Sequence, residues 1–522
     1  MKGTAFSMCQ LSVESAPSEM VVIMTAIEDE TYFGFQTFAW LADFVNLPID
    51  QVNFLITQFI ALGLAGILRS SLNPKVTSPA LRHAFVLIFG LALGYFNFGK
   101  HAIHLAGLPA ICYIVMRTQD PKVMQRLVLV IALSYLSCIH LHRQFYNGGS
   151  HTLDITGPLM VITQKVTSLA YSIHDGLSRM DEDLTPSQRH QAVRKMPTLL
   201  EYFSYVFHFQ AIMAGPIILY HDYIDFIHGQ RILEAKSLTG YGEKTSNEIV
   251  LEPSPASVVV KKVITSLFFA FVFVTFIPSY SVVKVKDDEF LEKTSIIYKF
   301  WYLTIATMLV RFKYYHAWIF ADAICNNSGL GFNGYDENHQ SRWDKVSNVD
   351  AFKFETALSL RDSIEAWNKG TNRWLRSLVY ERVPRNKTVY TYALSALWHG
   401  FHPGYYLTFA NGSFFTYASR IVRRHVRPHF LISKKAKLFY DFMTFLTTKV
   451  VLTYTTFTFV LLELKPSITM YLHLYLFPNI LGLTGILFLP VILPLSKQKS
   501  QTSKTESSNG HVPTNGHAHK VE

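Results

Sequence analysis

Charged residues are scarce in this sequence. Asp, Glu, Lys and Arg make up 16% of 522 residues, whereas 49% are hydrophobic and Phe and Tyr alone number 40 and 27. Soluble domains carry ~25% charge, so the balance excludes an ordinary water-solvated domain and fits a chain solvated by lipid. Cysteine is scarce too. Cys9, Cys112, Cys138 and Cys325 form neither a metal-type spacing nor a disulfide framework, and no metal site is expected. Acidic residues are outnumbered, leaving a formal net charge of +11. The cations flank apolar runs and do not gather in one patch. That argues against a nucleic-acid partner and for loops near anionic headgroups, where a polyanionic cosubstrate would also be drawn. The start lacks a basic stretch followed by a clean apolar core, so no cleavable signal peptide is expected. There is no Walker or GxGxxG loop, and the tail end is neither a dilysine nor a KDEL-type signal.

What is present is a succession of apolar stretches, at about 52–68, 82–99, 102–116, 126–142, 155–174, 199–220, 258–278, 295–320, 388–402, 404–422, 437–462 and 469–493. A span needs ~20 apolar residues, and several of these are shorter or carry polar residues, which suits buried, tilted or re-entrant segments. The expectation is an all-α, polytopic integral membrane protein with about ten to twelve transmembrane or re-entrant helices. Residues 1–44 read as a variable leader, 45–495 as one membrane domain and 496–522 as a disordered polar tail. Residues 228–256 read as an exposed loop. Residues 321–387 are polar yet rich in aromatics, including Trp343, Phe352, Phe354, Trp367, Trp374 and Tyr380. Disordered loops lack such residues, so this region is expected to fold against the membrane domain.

Polar groups within lipid are costly and often functional. On a helix over Thr388–His402, Thr391, Ser395 and His399 fall four apart on one face. Gly400 and Pro403-Gly404 then break that helix. Histidine suits proton transfer near neutral pH; the alternative is a core histidine with both ring nitrogens satisfied. Over 355–382, Leu360, Ile364, Trp367, Trp374 and Leu378 repeat at helical spacing. Glu365, Asn368, Asn372 and Arg376 share another face, with Gly370 as a point of interruption. Asn368 does not titrate; its available roles are to donate to a carbonyl or to orient a base, and the alternative is a solvated face of an interfacial helix. Lys313, Arg342, Lys345, Arg361, Lys369, Arg373 and Arg376 surround these segments. They either hold phosphates of a nucleotide-like cosubstrate or are positive-inside residues.

At these residues the sequence resembles the membrane-bound O-acyltransferase family, and within it the lysophospholipid acyltransferases. Trp398-His399-Gly400 with Pro403-Gly404-Tyr405 is similar to that branch's WHGxxPGY motif, and Arg311-Phe312-Lys313-Tyr314-Tyr315 to its RxKYY motif. Trp343-Asp344 resembles its WD motif, and Trp367-Asn368 with Thr371 and Trp374-Leu375 its asparagine motif. The resemblance spans roughly residues 45–495. It implies His399 as catalytic base and Asn368 as its companion, and an endoplasmic-reticulum enzyme whose chamber opens to cytosol and lipid. It implies acyl-CoA as cosubstrate, with no permanently bound cofactor, and a lysophospholipid as acceptor. Leu47-Pro48-Ile49-Asp50-Gln51-Val52-Asn53-Phe54 and Gly334-Tyr335-Asp336-Glu337-Asn338 point to enzymes acting on lysophosphatidylethanolamine or lysophosphatidylserine with unsaturated chains such as oleoyl. Lys369, Arg373 and Arg376 are the expected contacts to CoA phosphates; Ser395, Trp343, Asp344 and Tyr405 are the expected substrate contacts. The rival readings are a protein acyltransferase of the same superfamily and a non-enzymatic lipid transporter. Transporters often show matching halves, which this chain does not.

Overall fold

Apolar runs become helices here because a backbone in lipid must satisfy its own hydrogen bonds, and short polar punctuation sets their ends. Ser78 caps one by accepting from the Leu81 amide, with Pro79 in the first turn. Ser295 and Ser433 cap two others through the amides of Tyr298 and Ala436. The computed structural model describes residues 32–146, 154–230, 253–338 and 340–494. The first part of the leader (1–31), most of the 228–256 loop and the polar tail lie outside the described residues. Among the described residues the fold is helical, with a single isolated bridge, Tyr335 to Ser341.

The principal helices are α1 (Ile49–Ser70), α2 (Pro79–Phe98), α3 (Ala102–Thr118), α4 (Met124–Tyr146), α5 (Thr156–Ser178), α6 (Leu199–Phe207), α7 (Ala256–Phe276), α8 (Ile296–Ser328), α9 (Leu360–Ala366), α10 (Lys369–Leu375), α11 (Lys387–His399), α12 (Pro403–Phe430), α13 (Lys434–Leu461), α14 (Leu464–His473) and α15 (Phe477–Ile492). Helices α1 to α6 share one core, which also takes in Trp374 and Trp398. A second core joins α8, α12, α13 and α14 around Tyr302, Phe415, Tyr454 and Tyr471.

Five stretches, α1, α2 with α3, α4, α7 and α13, are long and apolar enough to cross a membrane; α14 and α15, bent by 71°, make a sixth if taken as one span. The other apolar stretches of the sequence are of different kinds. The 155–174 stretch is α5, whose Thr163, Gln164, Lys165, Thr167 and Ser168 are buried in protein. The 199–220 stretch is the nine-residue α6 followed by turns. Polar residues turned inward lower the hydropathy of these segments without exposing them to lipid.

Residues 32–38, within the span read as leader, pack onto the helices: Asn53 Nδ2 donates to Tyr32 Oη at 3.0 Å and to the Phe35 carbonyl at 2.7 Å. One local expectation changes. The 355–382 segment is not one helix. It breaks between α9 and α10 at Asn368, which has φ 41° and ψ 55°, and not at Gly370. Asparagine is among the few non-glycine residues that tolerate this left-handed conformation.

The 321–387 region does fold against the helices. Trp367 packs on Trp318 and Phe354, with ring centroids 4.9 and 5.2 Å apart. Glu355 takes both oxygens to Arg311 of α8, at 2.8 and 3.1 Å, and accepts from Lys449 of α13 at 2.9 Å. Burial alone would raise the Glu355 carboxyl, but the Arg311 guanidinium and the Lys449 ammonium outweigh it and hold it below the ordinary carboxylate value.

Candidate active site

Helix α11 ends at His399 because Gly400 takes φ 114°, a conformation L side chains rarely adopt. A Cβ on Gly400 would also meet His140 Nδ1 at 2.9 Å. His140 lies there because its Nε2–H donates to the Trp398 carbonyl at 3.1 Å, satisfying an orphan acceptor at the helix end. Pro403 then opens α12. The turn between α11 and α12 thus leaves the His399 ring at a chain break.

His399 Nδ1 lies 2.7 Å from the Ser395 carbonyl. A carbonyl only accepts, so Nδ1 carries the proton and Nε2 keeps its lone pair. The helix itself sets the tautomer: the Ser395 backbone does this, not its hydroxyl. Thr391 Oγ1 is turned to the Lys387 carbonyl instead. Trp398, Tyr405, Phe409 and Phe459 surround the ring at centroid distances of 4.6, 5.7, 4.9 and 5.2 Å, yet His399 stays only half-buried. Its immediate surroundings are aromatic.

Asn368 is likewise half-buried and begins α10. Asn372 Nδ2 latches the preceding turn by donating to the Ile364 and Trp367 carbonyls at 2.6 and 2.8 Å. The two elements meet through Trp374 and Trp398, whose centroids are 5.6 Å apart.

Helix α5 registers both. The Met160 carbonyl accepts from Trp398 Nε1 at 3.0 Å, Gln164 Nε2 donates to Thr371 Oγ1 at 2.8 Å, and Thr167 Oγ1 accepts from Trp374 Nε1 at 2.9 Å. Positions 160, 164 and 167 lie on one helical face, which therefore holds the His399 and Asn368 elements along ~10 Å of axis. Sequence reading passed over Gln164 and Thr167. The available signal was their polarity inside an apolar stretch.

The cations separate into two groups. Arg342, Lys345, Arg361 and Arg376 are paired with Asp344, Asp222, Glu365 and Glu381 at 2.9, 3.2, 2.8 and 2.9 Å. Lys313, Lys369 and Arg373 make no short ion pair among the described residues, although Asp50 and Asp222 act on Lys313 and Arg373 at longer range. Arg373 is exposed, yet burial of its surroundings pushes its pKa down, opposed by Asp222.

The remaining expected contacts are dispersed. Tyr405 stands beside His399, and Ser395 is buried one turn before it. Trp343 is buried against Phe332, and its carbonyl accepts from Lys262 Nζ at 3.0 Å and Asn326 Nδ2 at 3.3 Å. Asp344 sits on an exposed turn with Arg342 and Asn333. Neither Trp343 nor Asp344 is brought to His399.

A family model described as MBOAT, membrane-bound O-acyltransferase family, matches residues 141–459. The chain is 54% identical over 491 residues to Lysophospholipid acyltransferase 6 of Drosophila melanogaster, covering 94% of this chain and 68% of that protein. It is 41% identical over 452 residues to Membrane-bound glycerophospholipid O-acyltransferase 1 of Mus musculus, covering 86% and 92%. It is 32% identical over 460 residues to Lysophospholipid acyltransferase of Schizosaccharomyces pombe, covering 85% and 87%.

Proposed function

We propose that this chain, which belongs to the membrane-bound O-acyltransferase family and is a multi-pass acyltransferase, moves a fatty acyl group from acyl-CoA to the free glycerol hydroxyl of a lysophospholipid. The observation that carries this reading is the His399 ring at the end of α11, with Nδ1 engaged by the Ser395 carbonyl and Nε2 left as the basic nitrogen. The names of the related proteins support the acceptor class.

The acceptor oxygen attacks the thioester carbon while its proton passes to His399 Nε2. The oxyanion so formed is taken by Asn368. The C–S bond breaks, and the imidazolium returns its proton to the CoA sulfur, leaving a diacyl phospholipid and free CoA. A positioned base of this kind contributes about 10²–10⁴ in rate, and an oxyanion donor about 10²–10³. The apolar rings around His399 keep bulk water from competing as acceptor. Lys369 and Arg373, unpaired among the described residues, suit the CoA phosphates better than the ion-paired Arg376. The chamber joining them to His399, and substrate contacts at Ser395 and Tyr405, belong to the same reading.

The motifs at 47–54 and 334–338 favour lysophosphatidylethanolamine or lysophosphatidylserine as acceptor, an unsaturated donor such as oleoyl-CoA, and the endoplasmic-reticulum membrane as location. Lipid mass spectrometry of purified protein given mixed lysolipids, acyl-CoAs and acceptor peptides tests this directly. Oleoylated phosphatidylethanolamine or phosphatidylserine is the expected product. Acylated peptide alone, or no CoA release at all, would remove the proposal.

A further inference from the structure

We infer that Asn348 is a positioning residue that decides which end of the Asn368 amide meets the substrate. This rests on the reading of Asn368 as the oxyanion donor.

Asn348 is 3% exposed and spends three hydrogen bonds on three consecutive residues. Its carbonyl accepts from the Lys369 amide at 2.8 Å, its Oδ1 from the Gly370 amide at 2.9 Å, and its Nδ2 donates to Asn368 Oδ1 at 3.2 Å. The backbone amide of Gly370 can only donate, so the Asn348 atom facing it is the oxygen. The other end of Asn348 is then NH2, which can only donate, so the Asn368 atom facing it is also the oxygen. One unambiguous backbone donor thus orients two side-chain amides in series.

The free end of Asn368 is therefore its NH2, which has no partner among the described residues. It faces the substrate as a donor, suited to a thioester oxygen. His399 does not need it for orientation, because Nδ1 is already held by the Ser395 carbonyl. Of the two roles open to this asparagine, the geometry points to carbonyl polarisation.

The clamp is rigid from behind. Ser347 Oγ donates to Asp322 Oδ2 at 2.6 Å, and Lys262 Nζ reaches the same oxygen at 2.7 Å. At the front, a Cβ on Gly370 would lie 2.8 Å from Ile217 Cγ2 and 3.0 Å from Asn348 Oδ1. Three hydrogen bonds and this close approach hold Asn368 in its left-handed conformation, the kind of local strain that surrounding structure must over-determine.

Asn348→Asp tests the assignment. The carboxylate still accepts from Gly370 but has nothing to donate to Asn368, whose amide turns over and presents its oxygen to the thioester. The expected result is a fall in kcat of about 10²-fold, the size of a lost oxyanion donor, with KM for acyl-CoA and lysolipid little changed and the protein still monodisperse. A raised KM at unchanged kcat overturns the inference. If Asn348→Asp does not fold, Asn348→Ser gives the same readout, since its hydroxyl does not reach both partners.

In an Asn368→Ala background, substituting Asn348 should leave residual turnover unaltered; a further loss means Asn348 does not act through Asn368. Wild-type turnover in Asn368→Ala would instead overturn the parent reading of that residue. Crippled Asn368→Ala beside fully active Asn348→Asp overturns the present inference alone.

Discussion

Helices α5 and α7 are nearly equal in length, 23 and 21 residues, and serve opposite ends. In α7 only 11% of the apolar window is buried, and Ile264, Phe268 and Phe271 are exposed, as a lipid-facing helix requires. Helix α5 is buried through most of its length, and its interior residues include Thr163, Gln164, Lys165 and Thr167. Lys165 Nζ donates to the Val206 carbonyl at 2.8 Å, while Gln164 and Thr167 hold the site. Hydropathy identifies the helix that meets lipid and passes over the one that packs behind the candidate site.

The comparison can be broken or sharpened by substitution. Apart from His399 itself, the largest expected effect is on Asn368, the residue α5 registers through Thr371 and Trp374. Asn368→Ala should cut kcat by about 10²–10³, and Asn368→Asp should not restore it, because a carboxylate repels the oxyanion; thiol release at saturating substrates reads both.

Glu355→Gln comes next, and acts on stability. It leaves Arg311 and Lys449 uncompensated and should cost about 3–5 kcal/mol, seen as a lower melting temperature in detergent. Because the folded carboxyl lies below the ordinary value of 4.5, its contribution is present above that pH and lost as pH falls through the folded value. Melting curves at descending pH should therefore converge for wild type and variant.

Gln164→Leu on α5 strands the Thr371 hydroxyl and should cost about 1–3 kcal/mol, with a fall in kcat, whereas Phe271→Leu on α7 should be silent in both. Equal effects would erase the distinction between the two helices. Arg373→Gln should raise KM for acyl-CoA about tenfold, the loss of one charge-assisted hydrogen bond. Arg376→Gln, already paired with Glu381 and exposed, should shift it far less; equal shifts would show that pairing does not sort these cations.

Much of the local structure of the candidate site was legible in the sequence. The stripe Thr391, Ser395, His399 followed by Gly400 and Pro403 marks a helix ending at a histidine, and α11 ends there. Aromatic density marked 321–387 as folded. The break at Asn368 was not legible, because helical periodicity continues across it and the residues that hold it lie elsewhere: Asn348 is 20 positions away. Gln164 and Thr167 act on partners 207 positions distant, which no local pattern contains. Of the about ten to twelve transmembrane or re-entrant helices expected, six at most pass a criterion of length and hydropathy among the described residues, because apolar stretches with inward polar faces fall below it.

The most direct test is thiol release from acyl-CoA by purified His399→Ala beside wild type, at saturating lysophospholipid and with both proteins equally monodisperse. The account predicts turnover lower by about 10²–10⁴, the contribution of a positioned base, with acyl-CoA binding retained. Wild-type turnover in the variant would contradict it.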